Sequence, residues 1–145
     1  MWKCTKCSRE FANQHQSHSC STRPLEEHFR GRAKLTVAIF KRLLRTVKRN
    51  GPVTVISSKT RIAFQTRMSF AAVVIRNDFL RGHLVLAERT LDPRFSRIQT
   101  ISPRNHVHEF VLNDVGDIDS RFCELIAKAY AVGNQEHLRR PAKPL

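Results

Sequence analysis

Three of the four cysteines in this chain fall within its first twenty residues, and their spacing is that of a metal site. Two residues separate Cys4 from Cys7, a gap that lets a tight turn aim both thiolates at one ion. Ten residues then intervene before His18, and Cys20 follows it closely, adding a nitrogen and a sulfur. The set Cys4, Cys7, His18 and Cys20 suits a tetrahedral structural Zn2+ with no position left open for catalysis. Lys3, Lys6 and Arg9 favour the ionised thiolates. His15 is a rival nitrogen donor, although a solvated surface histidine accounts for it better. So short a segment cannot bury enough apolar surface to fold alone, so metal binding is expected to supply the folding energy, with Trp2 and Phe11 as an apolar lid.

Beyond the cysteines the hydrophobic period changes twice. Residues 24–31 read as a linker running into a short helical turn, capped by Ser21 or Thr22 and ended by Gly31. Residues 33–49 place Leu35, Ile39, Phe40, Leu43, Leu44 and Val47 on one side of a helix. Asn50-Gly51-Pro52 stops it. Strand patterns follow at residues 53–56, 61–67, 69–76, 83–89, 97–101 and 107–112, joined by short connections that favour antiparallel pairing. The third is apolar on both faces and belongs near the centre of a sheet. Asp117 or Asp119 opens a last helix whose apolar face is Ile118, Phe122, Leu125, Ile126, Ala129 and Tyr130, ending at Gly133. The expected class is α+β: a zinc knuckle at 1–23, then a two-layer domain at 24–133 with helices on one face of an antiparallel sheet, then a basic, flexible tail at 134–145.

The charge is lopsided. Lys and Arg number 26 against 12 Asp and Glu, a formal net charge of +14, which steers a protein toward polyanions. At 41% hydrophobic the chain still has the composition of a folded domain, so the excess charge sits on a surface. The 50 residues from His28 to Asn77 contain no Asp or Glu and twelve Lys and Arg. On the long helix, Lys34, Lys41, Arg45 and Lys48 form a stripe opposite the core, flanked by Arg42 and Arg49. On the second strand Arg61, Gln65 and Arg67 alternate with Ile62 and Phe64 and are expected to face away from the core. Most of the nine Phe occupy core positions, leaving few aromatics to stack on bases. The pattern therefore points to contacts with the phosphate backbone of DNA or RNA rather than to base reading. No apolar run approaches the roughly 20 residues of a membrane span. Nor does a signal-peptide segment follow Met1, so a cytoplasmic protein with reduced thiols is expected.

Catalytic signals are sparse. His106 and His108 alternate on one strand and share a face, but Phe110 and Leu112 share it too, which favours buried, hydrogen-bonded imidazoles. Asp114, Asp117 and Asp119 precede a helix and read as caps. Cys123 lies beside an apolar stripe and reads as a packing residue. No phosphate-cradling Gly-rich loop and no nucleophile signature is present.

Several short stretches together resemble bacterial proteins of the domain of unknown function 5655 family, in the version with an N-terminal zinc knuckle. They are Trp2 to Phe11 with Gln16 to Cys20, Pro24 to Phe29, Gly51 to Val53, Lys59 to Ile62, Phe70 to Val73, Ser102 to Arg104 before His108, and Asp117 to Asp119 before Ala129 and Tyr130. The likeness covers about residues 1–133. It implies a small α+β domain with a C-terminal helix and favours His18 over His15 as ligand. Ser8 stands where the family often has Gly. The resemblance also suggests that Lys59, Thr60, Arg61, Arg104 and His108 surround one sheet face as an anion pocket. Three functions stay open: a zinc-containing protein that binds nucleic-acid backbone, a small-anion or enzymatic pocket on the sheet, and an interaction module whose charge only keeps it soluble.

Overall fold

The computed structural model of the chain describes residues 2–5, 10, 11, 14 and 23–136. A two-stranded antiparallel ribbon, β1 (Trp2–Lys3) and β2 (Glu10–Phe11), comes first. Two helices follow, α1 (Glu26–Phe29) and α2 (Lys34–Lys48). The sheet strands are β3 (Thr54–Ser57), β4 (Ile62–Gln65), β5 (Ser69–Ile75), β6 (Leu80–Leu86), β7 (Phe95–Ser102) and β8 (Asn105–Leu112). A 3-10 turn (Val115–Asp117) leads into α3 (Ser120–Gly133). All six strands pair antiparallel in the order β3-β4-β5-β6-β8-β7.

Alternation along the strands puts Ile62, Phe64, Ala71, Val73, Leu80, Leu84, Phe110 and Leu112 on one face, where α2 and α3 cover them. The helices supply Ile39, Phe40, Leu43 and Val47 from α2 and Phe122, Leu125, Ile126 and Ala129 from α3. Aromatic contacts join the layers: Phe40 stacks on Phe64 with ring centroids 6.4 Å apart, and Phe110 meets Phe122 edge-on at 5.1 Å. β5 lies inside the sheet, as its two apolar faces require. Both ends of β7, an edge strand, carry a shift of register, between Phe95 and Arg97 and between Thr100 and Ser102.

Several local expectations change. Leu35 is 45% exposed, while Thr36 and Thr46 take buried places on α2. Their hydroxyls make this possible: Thr36 Oγ1 donates to Asn77 O at 3.1 Å and Thr46 Oγ1 to Arg42 O at 2.9 Å. α1 has Leu25 at its N-cap with no side-chain cap bond, while the expected caps Ser21 and Thr22 lie outside the described residues. β6 begins at Leu80 rather than His83 and stops at Leu86. β4 ends at Gln65, where its register shifts. Gln65 is 5% exposed rather than solvated, because its amide donates to Glu10 O at 3.0 Å and ties the N-terminal ribbon to the sheet. Arg67 lies past the strand and donates from Nε to Gln135 Oε1 at 3.2 Å.

Helix ends follow the sequence signals more closely. Gly51 closes α2 with a φ of 136°, and a Cβ there would sit 2.6 Å from the Tyr130 hydroxyl, which donates to Pro52 O at 2.8 Å. Asp119 caps α3 by accepting from Phe122 N at 2.8 Å, and Asp114 with Asp117 forms a capping box on the 3-10 turn.

Candidate anion-binding surfaces

Lys34, Lys41, Arg45 and Lys48 are exposed along the outer side of α2. Their spacing of seven, four and three residues keeps them in one row, about 21 Å long at a rise of 1.5 Å per residue. Among the described residues none of the four has a carboxylate within ion-pair distance. Ion pairs gather elsewhere: Arg94 meets Asp92 at 2.9 Å and Asp119 at 3.1 Å, and Arg121 reaches Asp92 at 3.8 Å. Arg42 is partly diverted, its Nη2 donating to Ile118 O at 3.0 Å and linking α2 to the start of α3.

The sheet face turned away from the helices holds a second cationic surface. Register sets Arg61, at the foot of β4, beside Val74 of β5, and Val74 opposite Arg81 of β6. The next row runs Ala63, Ala72, His83, Glu109 and Arg97. Beyond it Val85 faces Val107, and Val107 faces Gln99. Together Arg61, Ala72, Val74, Arg81, His83, Gln99, Val107 and Glu109 line a basin of about 470 Å³. Burial holds the His83 imidazole below its ordinary value; the Arg61 charge acts in the same direction and Glu109 opposes it. Neutral His83 therefore forms part of the floor, and Glu109 leans on Arg97 at 3.7 Å.

Five residues expected on one sheet face are not brought together. Arg61 alone reaches the basin. His108 lies on the helix-covered face, fully buried opposite Leu84 and Ile98. Its Nε2 accepts from Thr90 N–H at 2.9 Å and its Nδ1 donates to His106 O at 2.8 Å, so the ring is neutral and both nitrogens are in use. His106 is engaged likewise, with Thr100 Oγ1 at 2.9 Å and Pro103 O at 3.1 Å, so the pair is structural. Lys59 and Thr60 sit in the β3–β4 turn, whereas Arg104 sits in the β7–β8 turn at the opposite end and edge of the sheet. The sequence pattern missed Arg81, His83, Gln99 and Glu109 as neighbours of Arg61. Beginning β6 at Leu80 would have put Arg81 and His83 on one face.

With the sheet and its helices in place, the comparison with known families is decisive over residues 25–133, which match the model described as Domain of unknown function (DUF5655). The chain belongs to that family. No curated protein and no solved structure matches it. The α2 stripe, the basin and the His106–His108 pair all lie inside the DUF5655 portion.

The cysteine cluster precedes the DUF5655 match. Lys3 pairs with Glu10 and Trp2 with Phe11, so Cys4 directly follows the first strand of the ribbon. Cys4 is 5% exposed. Cys7, His15, His18 and Cys20 lie outside the described residues, as does the tail from His137 onward. Among the described residues no three His, Cys, Asp or Glu gather as a metal site, and no helix is long and apolar enough to cross a membrane.

Proposed function

We propose that this DUF5655 protein binds DNA or RNA through backbone phosphates, with α2 as its principal contact surface. The observation that carries it is the exposed row Lys34, Lys41, Arg45 and Lys48, which no carboxylate neutralises among the described residues. Exposed Lys and Arg side chains exchange condensed counterions for phosphate contacts, and the gain is sequence-independent. Lys59 extends the charge along the same acid-free stretch of chain. The helix keeps its apolar face in the core, so only its cationic face is offered to a partner.

A structural Zn2+ held by Cys4, Cys7, His18 and Cys20 belongs to the same proposal. The burial of Cys4 at the end of the first ribbon strand and the Cys4–Cys7 sequence spacing support it. Ligation by thiolates requires a reducing compartment, which fits the cytoplasm. The zinc-loaded chain should retain one equivalent of metal through gel filtration, and Cys4→Ser should lose it.

Binding is tested by titrating labelled single- and double-stranded oligonucleotides at low and near-physiological salt. A steep log–log salt slope is expected, falling by about 0.9 for each duplex phosphate contact removed in a Lys41→Gln, Arg45→Gln, Lys48→Gln variant. An unchanged slope in that variant would remove α2 from the interface.

A further inference from the structure

The open-face basin has a polarity that the nucleic-acid proposal does not use. At one rim Arg61 and Arg81 flank Val74, with their strands two sheet spacings apart, about 10 Å. Both guanidinium side chains belong to exposed residues, so an anion reaches them without a conformational change. Arginine forks are a recurrent means of gripping a phosphate, and these two line the same basin. The floor is low: Ala72, Val74 and Val107 with the neutral His83 ring among them. Small side chains here let a flat ligand body lie on the sheet. The far rim carries Gln99 and Glu109, an amide and a carboxylate. Such groups recognise the exocyclic amino group of adenine or cytosine. Glu109 does not cancel the cationic rim, since it lies beside Arg97. At about 470 Å³ the basin falls in the size range of small-molecule sites.

We propose that this basin binds a nucleoside 5′-monophosphate with an amino-bearing base, its phosphate between Arg61 and Arg81 and its base edge toward Gln99 and Glu109. The site lies on the face opposite α2 and is independent of it.

Calorimetric titration of the full chain with AMP, CMP, UMP, adenosine and inorganic phosphate tests the assignment. AMP or CMP should bind at least about tenfold tighter than UMP, adenosine or phosphate, the factor expected of one charge-assisted contact. Arg61→Gln and Arg81→Gln, checked for folding by circular dichroism, should each weaken binding by about tenfold or more. Glu109→Gln should narrow the preference for AMP or CMP over UMP. A Lys41→Gln, Arg45→Gln variant should bind the nucleotide as the parent does, which separates this site from the helix stripe. No heat with AMP and CMP at millimolar concentration would overturn the proposal. So would equal affinity for phosphate alone, or unchanged affinity in the two folded arginine variants.

Discussion

His108 Nε2 accepts the backbone N–H of Thr90 at 2.9 Å, fastening the connection after β6 to the middle of β8. Among the described residues Thr90 N–H has no other acceptor, so the imidazole must stay neutral to hold it. Burial keeps the His108 value below 6.5, and burial likewise lowers His28 and His83.

A pH dependence with a definite sign results. Each of these histidines takes up a proton more readily unfolded than folded. Their contribution to stability is therefore fully present above about pH 6.5 and is lost as pH falls through the lowered folded values. Urea unfolding between pH 7.5 and 5 should show that decline. His108→Leu should cost about 1–3 kcal/mol at pH 7.5, by leaving Thr90 N–H without an acceptor, and should make the decline shallower. A variant whose decline matched the parent's would show that His108 does not titrate in this range.

Gly82 should tolerate no side chain. A Cβ on it would lie 2.4 Å from Ala72 O and 2.8 Å from Val73 Cγ1, both on the neighbouring strand. Gly82→Ala is expected to cost about 1–3 kcal/mol by forcing the strands apart. It should also weaken nucleotide binding, because Arg81 and His83 flank it on β6. Thermal melts and the AMP titration measure the two effects.

Lys41→Glu should separate stability from binding. The introduced carboxylate would sit one turn before Arg45 and form an i,i+4 pair worth about 0.2–0.5 kcal/mol. The same change reverses a charge in the cationic row, so oligonucleotide affinity should fall while the melting temperature holds or rises. Affinity equal to the parent's would argue that the row is only solvated.

Arg94 should govern the acid limb. Its backbone N–H and then its side chain hold the Asp92 carboxyl below the usual range. Its guanidinium, followed by Phe122 N–H, does the same for Asp119. The stability these carboxylates contribute is present above about pH 3.8 and is lost as pH falls through their lowered folded values. Arg94→Gln should be less stable than the parent at pH 5, and the gap should narrow by pH 2.5. Urea unfolding at the two pH values checks this.

The long elements were legible because period alone specifies them. Ile39, Phe40, Leu43 and Val47 recur at helical spacing, and β5 announces its central place by apolar residues on both faces. Gly82 hid the start of β6, since glycine normally weakens a strand; here it admits the close approach of Ala72 O. His108 misled for a different reason. What satisfies its ring is a backbone N–H 18 residues away, and no local pattern reports such a partner. Gln65 likewise finds Glu10 O across 55 residues. The basin needed pairing register: Arg61, Arg81 and Gln99 meet only once β4, β6 and β7 are ordered across the sheet.

The two register shifts in β7 bear on how the protein behaves when crowded. An exposed edge strand is a template on which another chain can add a strand, and Ile101, 63% exposed, would make this one sticky. Irregular pairing at both ends shortens the straight run to Arg97–Thr100 and twists what remains. Arg97 adds a charge to that run. The edge thus resists fibrillar stacking by its shape, without a covering helix.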